Sequence, residues 1–409
     1  MSRDHLFRSR ESDEHAPVTY IELFFDLVFV FAITQLSKHL HHHLSLTGAL
    51  EALVLFLALW WVWIYTCWVT NAVDPERGNV RLMLIALMIG GLVLSAALPG
   101  AFGATGLLFA IAYVLMQLGR CAYMVWAHWG QPNGGAKNYA RIGFWFAITV
   151  PLWVGGAFAP VENRIFIWAL ALAIEYCGPF VLFHTPFLGR SSFLDFDISG
   201  AHMAERCALF IIISLGEAVL VTGASFAGLV QDGATWIAFL TSFIGSAAMW
   251  WIYFDIGAKR GSRMIAASGQ AVGLIARNAY TYLHMPIVAG IVVTAVADEA
   301  MMTHPGHHVD FAFLAAAIGG PFLFLLGNQM FKWQTAGQRF PPLSHLVGLL
   351  LLAGLALAAW LGHWSQLTTG MAATAALIAT AAWEWFSLHG GWERWAPWMG
   401  PLFRWIPRN

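Results

Sequence analysis

Runs of about twenty mostly apolar residues follow one another along almost the whole chain, and this pattern restricts the fold more than any other feature. A helix crossing the hydrocarbon core of a bilayer needs about 20 such residues. Read with that window, the sequence predicts about twelve spans, near 20–42, 47–71, 79–98, 105–128, 139–159, 163–185, 200–225, 234–256, 271–297, 309–331, 342–362 and 367–388. The connections are short and carry breakers, as in Asn71 to Gly78, Pro99-Gly100 and Gln131 to Gly135. The supply of charge agrees. Charged residues make up 11% of the chain and hydrophobic residues 59%, whereas a soluble globular chain carries roughly 25% charged residues. That excludes a soluble enzyme, a nucleic-acid binder and a disordered scaffold, and leaves an all-α integral membrane protein whose first partner is the lipid bilayer. The formal net charge of −1 implies no bulk attraction to nucleic acid.

The Lys and Arg residues predict an orientation. Sixteen of the 21, Lys332 among them, fall in the termini or in even-numbered loops, and only Lys38 and Arg164 fall in odd-numbered ones. By the positive-inside rule both termini are expected to be cytoplasmic. The first 18 residues are polar and mixed in charge, so no cleavable signal peptide is expected. The expected organisation is a cytoplasmic tail at 1–18, a first six-helix repeat at 19–190, a second at 191–390 and a cytoplasmic tail at 391–409.

The repeat is read from paired features. Glu22 and Glu205 each precede an apolar run, Trp60-Trp61-Val62 matches Trp250-Trp251-Ile252, Leu118-Gly119 matches Leu326-Gly327, and Glu175 matches Glu384. Units of six spans would share one orientation, and pathways in such proteins usually run between the halves.

Ionisable groups at membrane depth are costly and persist where they have partners or a job. Glu22 and Asp26 lie four apart, on one helical face that Phe29 and Ile33 extend. They read either as a proton or cation site or as structural partners of Arg206 or Arg277. His202 and Glu205 share a face of span 7, which Gly216 and Gly223 continue as a surface for close helix approach. Arg206 points about 100° away from Glu205, so its partner is expected on another helix. Glu217 lies three turns beyond Arg206, about 16 Å further along the helix and near the midplane. It reads either as the central functional acid or as a structural hydrogen-bond partner. In span 9, Arg277, Tyr280, Thr281 and His284 form one polar stripe on a helix that Pro286 is expected to break, with His284 either a relay or a packed imidazole.

Other features point to structure. Cys67, Cys121, Cys177 and Cys207 show no paired spacing and are expected to be small core residues. The Trp-rich runs 60–68 and 392–405 look like interfacial belts. Consecutive histidines at His39 and His41 to His43 do not converge on one face, so no metal site is assigned. No nucleotide, hydrolase or metalloprotease motif stands in a supporting context, so neither an enzyme nor a cofactor is expected.

Tyr20-Ile-Glu-Leu-Phe-Phe-Asp-Leu-Val-Phe-Val-Phe-Ala-Ile-Thr-Gln-Leu36 resembles the opening signature of the bacterial low temperature requirement protein A family. His202-Met-Ala-Glu-Arg206 running to Leu215-Gly216-Glu217, and Tyr282-Leu-His-Met-Pro286, resemble it as well. The resemblance covers about residues 15 to 390 and implies a multi-pass bacterial inner-membrane protein linked by name to growth in the cold. Its polar motif positions fall on Glu22, Asp26, Glu205, Arg206, Glu217 and His284. Phe25-Asp26 is also similar to a feature of the two-repeat endolysosomal potassium channels, without a counterpart near Glu205. The function expected is transporter-like movement of a small solute or ion, coupled to protons, between two six-helix halves. Glu217 would be the central acid, Glu22, Asp26, Glu205 and Arg206 a cytoplasmic-side network, and Arg277, Tyr280 and His284 the facing wall. The alternatives are an ion channel, or a non-transporting membrane protein for cold adaptation or lipid chemistry.

Overall fold

The computed structural model describes residues 4–8, 17–131, 134–192, 199–255, 277–336 and 341–389. Among them are twelve α-helices and no sheet. They are α1 (Tyr20–His42), α2 (Leu46–Ala72), α3 (Gly78–Ala97), α4 (Gly106–Ala127), α5 (Gly135–Phe158), α6 (Val161–Cys177), α7 (Gly200–Gly228), α8 (Gly233–Phe254), α9 (His284–Thr303), α10 (Phe311–Ala336), α11 (Leu343–Leu361) and α12 (Gln366–Leu388). Eleven are long and apolar enough to cross a membrane. The exception is α6, which stops at Cys177 after 17 residues, short of the predicted 185. Gly178 and Pro179 end it, and the chain then turns through left-handed Leu182 (φ 55°) and Phe183 (φ 48°).

The chain divides into two compact units, the first within 1–213 and 265–281 and the second within 214–264 and 282–409. Helix α7 contributes 200–213 to the first and 214–228 to the second.

In the first unit α2 is the buried element. Trp60, Trp61 and Trp63 are 2%, 0% and 0% exposed. The expected interfacial belt at 60–68 is therefore core, because a helix apolar on every side is enclosed by its neighbours. Trp61 stacks on Tyr176 with ring centroids 3.7 Å apart, and Trp63 lies 4.1 Å from Phe210. Residues 4–8 dock against the end of α2, where Asp74 N donates to Leu6 O (2.8 Å) and Arg8 Nε to Thr70 O (2.8 Å). Helix α1 starts with a capping box, in which Glu22 Oε2 accepts from Thr19 N at 2.9 Å and the Thr19 side chain takes the Glu22 backbone N–H in return. Of the cysteines, Cys67, Cys121 and Cys207 are buried as expected, but Cys177 is exposed because it ends α6. The run 392–405 lies outside the described residues.

In the second unit α9 and α10 pack backbone to backbone. A Cβ on Gly290 would strike Phe324 N and Gly320 O, and one on Gly320 would strike Thr294. Gly216 and Gly223, expected to admit a close helix, face open space instead. The small-residue contact falls on another helix pair because it needs glycines matched across both partners. Lys332 is no loop residue. It lies in α10, 7% exposed, with Nζ 2.7 Å from Glu384 Oε1 and Oε2 and from Ile252 O. That pairing lets α10 run past its apolar stretch with a charge inside. At the head of α8, Asp232 Oδ1 caps the helix by accepting from Thr235 N at 2.8 Å, and this holds the Asp232 carboxyl below the usual carboxylate value.

Span 9 also differs from its predicted range, of which 271–276 lie outside the described residues. Arg277–Tyr282 is π-helical, and α9 begins only at His284. The break precedes Pro286, which sits in the first turn of α9, where proline is tolerated. A π-helical turn winds wider than 3.6 residues, so the expected stripe of Arg277, Tyr280, Thr281 and His284 does not form.

Candidate functional site

Within the first unit, side chains from α1, α2, α7 and the N-terminal segment meet in a charge cluster that excludes solvent. Glu22, Asp26, His202 and Arg206 are each 0% exposed. The four-residue spacing on α1 turns both carboxylates to one side, and α7 presents His202 and Arg206 to them one turn apart.

The two acids are held differently. Glu22 is saturated. Its Oε2 accepts from Thr19 N (2.9 Å), Thr19 Oγ1 (2.9 Å) and Arg8 Nη2 (3.1 Å). Its Oε1 lies 2.9 Å from His202 Nε2 and 3.4 Å from Arg206 Nη1. Asp26 uses one oxygen only. Oδ1 accepts from Trp63 Nε1 (2.8 Å) and Arg206 Nη2 (2.7 Å), while Oδ2 has no hydrogen-bond partner among the described residues. Arg206 Nε is likewise without one. Arg206 also donates to Cys67 Sγ at 3.3 Å and lies 6.0 Å from the Trp63 ring.

Asn71 sets the state of the imidazole. Its Oδ1 accepts from Ser199 N (2.9 Å), so its Nδ2 is the atom facing Ser199 O (2.8 Å) and His202 Nδ1 (3.2 Å). A donor facing Nδ1 leaves Nε2 to carry the proton toward Glu22 Oε1, and Arg8 Nη2 stands 3.2 Å from the same Nε2. The cluster thus contains two carboxylates, the Arg8 and Arg206 guanidiniums and a neutral imidazole, and its charges balance.

The remaining sequence candidates lie elsewhere. Glu205 is exposed, and its Oε2 accepts from Val18 N at 3.2 Å. Arg277 donates to Pro179 O at 2.9 Å, and Tyr280 is buried with its carbonyl 3.9 Å from Cys207 Sγ. In the second unit Glu217 is 6% exposed, and His284, 0% exposed, lies 2.8 Å from Tyr253 Oη and meets the Phe331 ring in a T-shaped contact. Single-residue reasoning missed Arg8, Trp63 and Asn71. Thr19-x-x-Glu22 was a readable capping signal, whereas the other contacts join distant segments and leave no local trace. Of the residues paired in the repeat reading, Glu175 and Glu384 are both buried, but the tryptophans differ. Trp250 and Trp251 are 48% and 45% exposed where Trp60 and Trp61 are buried.

Long apolar helices that satisfy their own backbone groups, enclosing a balanced charge cluster, define a multi-pass helical membrane protein. A family model described as bacterial low temperature requirement A protein (LtrA) matches residues 17–382. The chain belongs to that family, as the segment at 20–36 implied. It is similar to the uncharacterized protein RA0937 of Rhizobium meliloti (strain 1021), with 39% identity over 382 residues, covering 93% of this chain and 91% of that protein. No solved structure matches it.

Proposed function

We propose that the protein is a transporter-like inner-membrane protein that moves a small solute or ion coupled to protons, with Asp26 as the proton-accepting group. The observation that carries this reading is the half-used carboxylate. Among the described residues, a fully buried Asp26 keeps Oδ2 without a hydrogen-bond partner beside a guanidinium whose Nε is also unused. Buried polar atoms are rarely left so unless a water, an ion or a titration step uses them. A proton added at Oδ2 would neutralise Asp26 and weaken its hold on Arg206. The guanidinium would then move toward Glu22, which already stands 3.4 Å away. That shift would change how α1 and 200–213 of α7 are tied together, which is the two-state element coupling needs.

The test is purified protein in liposomes with a pH-sensitive dye, challenged with a panel of small solutes under a proton gradient. Asp26→Asn, close in shape and unable to ionise, should lower proton-coupled flux by at least about tenfold, about 1.4 kcal/mol, with thermal stability in detergent retained. Equal flux in a folded Asp26→Asn protein would refute the role. Unitary currents in planar bilayers without saturable exchange would make the protein a channel instead.

A further inference from the structure

The first unit contains a second charged feature that the transport reading does not use. A cavity is walled by α2, α4, the start of α5, the chain after α6 and the π-helical segment. Centres of water-sized spheres fit over about 70 Å³ of it, several times the roughly 10–15 Å³ that a single water needs on this measure. Its walls are mainly aromatic and apolar, with Trp61, Tyr65, Trp68 and Tyr139 among them, and two guanidinium residues, Arg120 and Arg277, also line it.

Arg120 is 1% exposed, and a guanidinium stays charged in proteins. Every group it touches directly is neutral. Nη1 donates to Val62 O (3.1 Å) and Thr66 Oγ1 (3.2 Å), Nη2 donates to Gln117 Oε1, and the Tyr65 ring centroid lies 5.3 Å away. Glu175 is reached only at second hand. Gln117 Nε2 donates to Tyr113 Oη (3.1 Å), and Tyr113 in turn donates to Glu175 Oε2. Thr149 and Trp153 also donate to that carboxylate, at 2.7 and 2.8 Å. Among the described residues Arg120 therefore meets no carboxylate directly.

A buried cation with no counterion in contact is a costly arrangement, which an arriving anion relieves. The planar guanidinium fork matches a carboxylate in particular. A cation would be repelled by Arg120 and Arg277, and an inorganic anion would leave the aromatic walls unfilled. We infer that this cavity is a binding site for a small aromatic organic anion, its ring among the aromatic side chains and its carboxylate on Arg120. The inference concerns binding alone and stands whether or not the protein transports.

Isothermal titration of the full-length protein in detergent micelles tests it with three probes: benzoate, benzyl alcohol and inorganic phosphate. A hydrogen bond to a charged group strengthens binding, so benzoate should bind at least about tenfold more tightly than uncharged benzyl alcohol. Phosphate should not compete. Arg120→Gln should remove the preference for benzoate. Ile142→Trp fills the cavity without touching the bonds of Arg120, and should abolish binding of both ring compounds. Equal binding of benzoate and benzyl alcohol by the unaltered protein, competition by phosphate, or benzoate binding that survives in either folded variant overturns the assignment. The wild-type comparison alone decides the matter if neither variant folds.

Discussion

Glu22 and Asp26 show how two acids of similar burial take different parts. Glu22 ends a capping box, faces Arg8, Arg206 and His202, and has both oxygens engaged. Asp26 shares Arg206 and keeps one oxygen in reserve. Arg206 touches both, and its removal leaves Asp26 without a cation among the described residues, while Glu22 keeps Arg8. Truncating one partner of a buried pair costs about 3–5 kcal/mol. Arg206→Met should therefore lose about that much stability, measured by chemical unfolding in detergent. A loss below about 1 kcal/mol, the range of exposed pairs, would show that the cluster holds little of the fold together. The cost of ionisable groups at membrane depth was enough to single out Glu22, Asp26 and Arg206 from the sequence. It could not show that Trp63 donates to Asp26 or that Asn71 holds the His202 tautomer, because these contacts join helices far apart along the chain.

At the scale of the helix, local signals served best where the chain's own chemistry dictates the outcome. Apolar length located the helices, and Gly178-Pro179 marks where α6 stops. Packing was less legible. Gly216 and Gly290 look alike in sequence, yet one faces open space and the other lies against the backbone of α10. Gly216→Ala should be neutral, or stabilise by up to about 1 kcal/mol through helix propensity. Gly290→Ala forces α9 from α10, and overpacking of this kind costs about 1–3 kcal/mol. Melting temperatures of the two variants, measured side by side, should move in opposite directions or differ clearly. Equal shifts would mean that α9 and α10 do not approach through Gly290. The same reasoning explains the π-helical stretch at Arg277–Tyr282. Residue spacing assumes a regular turn, and only the fold shows where the turn widens.

For the molecule as a whole, the asymmetry of Lys and Arg read from the sequence counts fifteen residues on the expected cytoplasmic side once Lys332 is placed in α10. It predicts that cysteines introduced at Glu76 or Arg190, in a Cys177→Ser background, react with an impermeant thiol reagent from the cytoplasmic side only. Cysteines at Val230 or Gly306 should react from the opposite side only. The reverse pattern would invert the orientation. By itself, the sequence determined that this is a helical membrane protein, roughly where its helices lie, and which family it belongs to. Those follow from the bilayer, which demands long apolar runs with internally paired backbones and makes every charge within them conspicuous. The tertiary structure decided which charges meet: that Arg206 serves Glu22 and Asp26, that Lys332 serves Glu384, and that Arg120 meets no acid directly among the described residues. Pairing is a property of distance in space, and nearly identical apolar helices can be packed in many ways without changing the pattern that marks them as helices.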